Sequence, residues 1–321
     1  MTTLGKTMLK LGYYDTKALG LRQAVAWCSR ISLMALGAMI IGLAPALALD
    51  GSNARARKRM PPAGFASGQE ALRVGVEDLK AGNLQASVAA LTYAAAGGQA
   101  IARWKLGEMY ASGDGVPRDD VKAYRYFNQL VEDYNEDQPD WQDIGAISDA
   151  FVAVGVYCLK GVPDNDMQPD PRRAHELFQY AATTFGDPNA QFNLARMYMM
   201  GAGGLAKDSI AAIRWLALAA KEGHSPSQAL LGHMLFVGDG VQDQRVRGLM
   251  WLELAEDSAR NAKDPWIRDL YQRDFREASD NDREAAERMR QARAKETPLP
   301  PPSRSSVTSF LQPFGTLPSG Q

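Results

Sequence analysis

Ala102-Arg103-Trp104-Lys105-Leu106-Gly107-Glu108-Met109-Tyr110-Ala111-Ser112-Gly113-Asp114-Gly115-Val116 is the stretch that decides how this chain folds. Ala102, Leu106 and Tyr110 recur every four positions and lay one small or apolar stripe along a helix face. Gly113 ends that helix, because the residue just past a last helical turn takes a left-handed conformation that costs glycine nothing. Asp114-Gly115 is a turn signal. Pro117 with Asp119 or Asp120 suits the entry to a second helix, which carries Ala123, Tyr126 and Phe127 inward. The unit is a helix hairpin, and one hairpin cannot bury its apolar stripe alone.

The unit recurs. A second copy runs Ala150-x-x-x-Val154-Gly155, then Gly161, Ala174, Leu177 and Ala181-Ala182. A third runs Ala190-x-x-x-Leu194-Ala195-x-x-Tyr198-x-x-Gly201-Ala202-Gly203, then Ala212-x-x-Trp215 and Ala219-Ala220. A fourth runs Ser227-x-x-x-Leu231-Gly232-x-x-Leu235-x-x-Gly238-Asp239-Gly240-Val241, then Gly248-x-x-Trp251. A degenerate leading copy spans Ala71 to Gly98, with Ala81-Gly82-Asn83 as its turn. Copy two has Cys158 in place of the tyrosine and a longer turn from Gly161 to Pro171; copy four has Leu235 and Gly248 in place of tyrosine and alanine. Such periods mean stacked supersecondary units, and stacks of this kind mostly bind other molecules.

The small residue at Gly107, Gly155, Ala195 and Gly232 falls mid-helix, where glycine costs about 1 kcal/mol against alanine. A recurring cost implies a recurring reason: close approach of the paired helix, whose large aromatic side chain needs the space. Gly113, Gly115, Gly201, Gly238 and Gly240 mark the turns. The expected fold class is all-α, a right-handed solenoid of helix hairpins over 68–260, with capping helices over 261–296. Strand signals are scarce. The chain has 321 residues, 45% hydrophobic and 23% charged, which suits a globular protein with a sizeable core.

Both ends read differently. Arg22 and Arg30 precede an apolar run from Ile31 to Leu49, and Ala46-Leu47-Ala48 has the form of a signal-peptide cleavage site. Residues 1–48 are expected to be a signal peptide cut near Ala48, which leaves no stable membrane anchor; the alternative is an uncleaved anchor, since the run nearly reaches spanning length. A periplasmic location follows from cleavage. Residues 49–67, with Arg55, Arg57, Lys58 and Arg59 among Gly, Ser and Pro, read as a flexible linker. Residues 297–321, rich in Pro and Ser, read as a disordered tail. Removing 1–48 takes five basic residues and one acidic residue from totals of 36 and 37, so the mature net charge is −5. A mildly acidic chain argues against nucleic acid as partner. Cys158 alone remains, too few for an internal disulfide, and its core position points to a buried inert thiol.

No catalytic constellation appears. His175, His224 and His233 lack partners at metal-ligand spacing, and there is no G-x-S-x-G, P-loop or C-x-x-C. No catalytic residue, metal or cofactor is expected. Binding is expected on the inner face, which the first helix of each hairpin lines; its non-consensus positions are Arg103, Lys105, Glu108, Gln191, Asn193, Arg196, Gln228 and His233. Trp104 and Phe192 fall at core positions.

The pattern A-x-x-x-L-G-x-x-Y-x-x-G-x-G-V followed by A-x-x-W resembles the Sel1-like repeat, a relative of the tetratricopeptide repeat. Ala71-Leu-Arg-Val-Gly-Val-Glu-Asp-Leu-Lys80-Ala-Gly-Asn-Leu-Gln-Ala-Ser-Val and Trp104 to Val116 look, over residues 65 to 295, like the ExoR family of alphaproteobacteria. The resemblance implies a periplasmic negative regulator of exopolysaccharide production that binds the sensor domain of a membrane histidine kinase and is relieved by a protease. Two other classes stand beside it: a scaffold of an envelope or secretion complex, and a glycan-acting enzyme.

Overall fold

The glycine and aspartate punctuation becomes helix boundaries in the computed structural model, which describes residues 64–137, 139–140, 142–162, 167–259 and 264–296. The signal-peptide segment 1–48, most of the linker and the tail 297–321 lie outside the described residues. The helices are α1 (Gly68–Ala81), α2 (Leu84–Ala96), α3 (Ala100–Ser112), α4 (Asp120–Asp133), α5 (Ile144–Lys160), α6 (Pro171–Tyr180), α7 (Pro188–Met200), α8 (Ser209–Lys221), α9 (Ser225–Val237), α10 (Arg245–Ala259), α11 (Pro265–Glu277) and α12 (Asp280–Glu296). A single π turn, Ala181–Phe185, extends α6. The described residues form an all-α repeat solenoid of five hairpins, from α1/α2 to α9/α10, each second helix also packing on the first helix of the next hairpin.

Local chemistry sets the boundaries. Asp119, Asp170 and Asp208 cap α4, α6 and α8 by accepting from the backbone N–H three residues on. Ser67 caps α1 the same way, while Glu70 accepts from Ala66 N–H, so the two satisfy orphan donors reciprocally. Gly113 closes α3 at φ 84°, its N–H donating to Met109 O. The turn then locks through backbone alone. The carbonyls of Tyr110, Cys158, Tyr198 and Leu235 accept from the N–H of Asp119, Asp170, Asp208 and Gln244 at 2.7–2.9 Å. That bond explains why Cys158 and Leu235 substitute for tyrosine: the carbonyl makes the link, and the side chain has only to fill space.

The packing reason for the mid-helix small residue holds, and of the two inward aromatics of α4 it is Phe127, not Tyr126, that needs the room. A Cβ at Gly155 would stand 2.6 Å from Phe178, and one at Gly107 would collide with Phe127. Phe127 and Phe178 are fully buried, whereas Tyr126 and Trp215 are only half-buried. The filler sits one position after the aromatic of the repeat pattern, four residues after the small residue of the second helix: Ala123 then Phe127, Ala174 then Phe178, Ala212 then Leu216, Gly248 then Leu252. The leading hairpin obeys the same rule: Gly75 faces Leu91, and Ser87, four residues earlier, donates its hydroxyl to Gly75 O at 2.7 Å. In copies three and four that position is leucine, not an aromatic. Gly232 and Gly248 bring two backbones together, so that a Cβ on Gly232 would lie 2.7 Å from Gly248 O.

The second glycine of each turn sets the stacking of neighbours. A Cβ on Gly115 would meet Leu84, one on Gly203 would meet Pro171 O, and one on Gly240 would meet Ser209; these are the first residues of α2, α6 and α8 in the preceding hairpins. Copy two has no such glycine, and there Tyr157 Oη donates to Asp120 at the start of α4 instead, at 2.9 Å. Cys158 is fully buried, and burial pushes its thiol up to about 11. At the far end α11 packs on α9 and α10, and α12 lies along α10 through Arg290–Asp257 and Arg245–Asp282.

Candidate functional site

A helix turns about 100° per residue, so positions can be placed around each first helix from the packing residue that points at its partner. Positions −6, −2, +1 and +5 from Gly107, Gly155, Ala195 and Gly232 fall about 100–160° away from the partner helix. They define the face turned away from the second helices: Ile101, Lys105, Glu108 and Ser112 on α3; Asp149, Ala153, Val156 and Lys160 on α5; Asn189, Asn193, Arg196 and Met200 on α7; Pro226, Leu230, His233 and Val237 on α9. All four residues of the +5 row, Ser112, Lys160, Met200 and Val237, are exposed.

This register corrects the expected row of binding residues. Arg103, Gln191 and Gln228 sit four residues before the packing residue, nearly on its own side. Arg103 therefore reaches the end of α4, where it pairs with Asp133. Gln191 (4% exposed) donates to Gly186 O and Gln228 (1%) to Ala220 O, so neither lines a surface. Asn193 lies on the correct side but is 3% exposed and donates back to Asn189 O at 2.9 Å. His233 (8%) is covered by α11: its Nδ1–H donates to the buried carboxylate of Asp274 at 2.6 Å, with Arg273 against the imidazole. Lys105, Glu108 and Arg196 remain on the face. Sequence reasoning passed over Asp149, Lys160, Met200 and Val237; counting from the packing residue would have found them.

The electrostatics of the face are uneven. Lys105 Nζ is held by Glu108 at 2.7 Å. Asp149, half-buried beside them, makes no hydrogen bond or ion pair among the described residues, and burial, then Asp187 and Glu108, push its carboxyl up to about 8 against the weaker pull of Lys105. Asp187 is itself satisfied, accepting from Ser148 Oγ and from the N–H groups of Asn189 and Ala190. Arg196 lies over the Phe192 ring at 5.5 Å, and burial pulls its guanidinium down to about 9.

Beneath the face runs a buried polar link between copies three and four. His224 Nε2–H donates to Asn189 Oδ1 at 3.2 Å and its Nδ1 accepts from Ser227 Oγ at 2.8 Å, an arrangement fixed because the amide oxygen only accepts. Full burial pulls His224 down to about 3, so it is neutral. Among the described residues no group of three His, Cys, Asp or Glu side chains is placed to hold a metal ion, and no helix is long and apolar enough to cross a membrane.

The sequence profile of the Sel1 repeat matches residues 100–132, 149–183, 188–224 and 225–258. An exopolysaccharide production negative regulator of Rhizobium meliloti (strain 1021) is 32% identical over 258 residues, 80% of this chain and 90% of that protein. A protein of the same name from Rhizobium leguminosarum bv. viciae is 33% identical over 214 residues, 67% of this chain and 78% of its own. The crystal structure of a Sel1 repeat protein from Oxalobacter formigenes superimposes with a TM-score of 0.54 at 23% identity, covering 74% of this chain and 91% of that one, a likeness of fold.

Proposed function

Since this chain belongs to the Sel1 repeat family of exopolysaccharide production negative regulators, we propose that it is a periplasmic regulator that binds the sensor domain of a membrane histidine kinase and represses exopolysaccharide production. The observation that carries the regulatory role is the identity over four fifths of the chain with a protein of that name. Repeat stacks offer extended surfaces for protein partners, and the face of α3, α5 and α7 supplies one here. Export rests on the apolar run and Ala46-Leu47-Ala48. Repression is a matter of mass action: a regulator that binds only the off state of a receptor stabilises it by about 2.7 kcal/mol at a hundred times Kd. Cutting the stack between hairpins releases that bias, because each hairpin depends on its neighbours.

The test is a titration of purified sensor domain against the mature protein and an Asp149→Lys, Met200→Glu variant, changes at the half-buried and exposed ends of the face. Wild type is expected to bind and the variant to bind more weakly. No binding by wild type overturns the kinase reading, and equal affinities overturn the choice of face. N-terminal sequencing of protein from the producing cell is expected to begin near Leu49; a chain that keeps residue 1 refutes export by cleavage.

A further inference from the structure

One carboxyl on the first-helix face stands apart; Lys160, at the far end of the same helix α5, also makes no ion pair among the described residues but is exposed to water. Lys105 has Glu108, Asp187 has Ser148 and a helix N-terminus, and His233 has Asp274. Asp149 is half-buried between α3 and α7 with no ion pair of its own, facing Lys105 and Glu108 from α3 and Asp187 from the start of α7. A carboxyl kept from water without a counter-charge holds its proton, and a cation brought by something else can take that proton's place. On the same face, Met200 and Val237 occupy equivalent positions at the ends of α7 and α9 and leave 43% and 38% of their surface in water. Eleven residues of helical rise and one interhelix spacing place Asp149 about 20 Å from Met200.

We propose that this face takes a partner segment about 25 Å long, whose cationic side chain docks on Asp149 beside Glu108 while its apolar residues cover Met200, about 20 Å away, and Val237, one interhelix spacing further. The proposal deepens the reading of this face as the partner-binding one and names the partner's chemistry: an amphipathic basic peptide segment. Docking a cation ionises Asp149, so binding releases a proton. Lys105 stays with Glu108, and Asp187 stays with its cap, so neither competes for the incoming charge.

The test uses two synthetic 15-residue helical peptides, alike except for one lysine or one glutamate set about 20 Å from a pair of leucines. Each is titrated against the mature protein, Asp149→Asn and Met200→Glu, with thermal melts confirming that the variants fold. The lysine peptide is expected to bind wild type about tenfold more tightly than the glutamate peptide, the size of one charge-assisted contact. Asp149→Asn should abolish that preference, and Met200→Glu should weaken both peptides. The lysine peptide should also release a proton on binding wild type, read as a heat that differs between phosphate and Tris buffers. No binding, equal affinity of the two peptides, a preference that survives Asp149→Asn, or no proton release overturns the proposal. The sensor domain is absent from these titrations. A sensor domain that fails to compete with the lysine peptide counts against the kinase reading alone and leaves the peptide result standing.

Discussion

Replacing Gly232 with leucine is expected to pull the fourth hairpin apart. The position lies mid-helix in α9, against α10, and the atoms a new Cβ would meet are backbone: Gly248 O at 2.7 Å and Leu252 N at 2.9 Å, with Leu252 Cγ at 2.8 Å. An ordinary contact begins at 3.4 Å, so even a methyl group separates the two helices by about 0.7 Å. Neither helix can yield alone, because Gly248 is pinned in return: a Cβ there would lie 2.6 Å from Gly232 O and from Phe236 N. Alanine at 232 recovers about 1 kcal/mol of helix propensity and so costs little in total. Leucine adds three further carbons where Leu249 and Leu252 are already fully buried, so its overpacking reaches the upper end of the usual range, about 3 kcal/mol. For a domain of this size that is a drop of about 10 °C in Tm. Gly145→Ala is the control: it lies in the first turn of α5 with nothing within 4 Å, and propensity alone should stabilise it by a few tenths of a kcal/mol or more. Thermal melts by circular dichroism decide. A Gly232→Leu protein with the wild-type midpoint would refute the packing argument.

Three further outcomes follow from the same contacts. Tyr157→Phe removes the hydroxyl that ties copy two to Asp120 and should cost about 1–2 kcal/mol, with amide exchange quickening at the start of α4; unchanged exchange there would show that the bond does not hold the joint. Glu253, which burial and then Glu287 push up to about 7, has a folded pKa above its unfolded value, so the stability it contributes is full below about pH 4.5 and is lost as pH rises through 7. Glu253→Gln should therefore gain on wild type as melts move from pH 4.5 to 8, and a constant difference across that range contradicts the burial argument. Cys158 should resist a thiol reagent until denaturant is added, since it is fully buried with its thiol held up at about 11; fast labelling of the native protein would contradict this.

The sequence alone determined the hairpins, their number and their boundaries. Helix stops, caps and small-residue contacts are local events, read from glycine, aspartate and four-residue spacing; the weak leading copy was legible through Ala81-Gly82-Asn83, and Asp187, Asp208 and Gly201 stand where local chemistry requires them. Tertiary structure decided which side of each helix is open. Asn193 and His233 are polar and lie on the face that carries Lys105, yet one is folded back on its own helix and the other is covered by α11, because exposure depends on neighbours far away in sequence. It also decided that Phe127 rather than Tyr126 fills the hollow over Gly107, since a one-residue change of 100° is invisible to a pattern in which both residues are aromatic. Asp149 shows the same limit: an ordinary aspartate in the chain becomes an uncompensated carboxyl only when α3 and α7 bring Glu108 and Asp187 beside it.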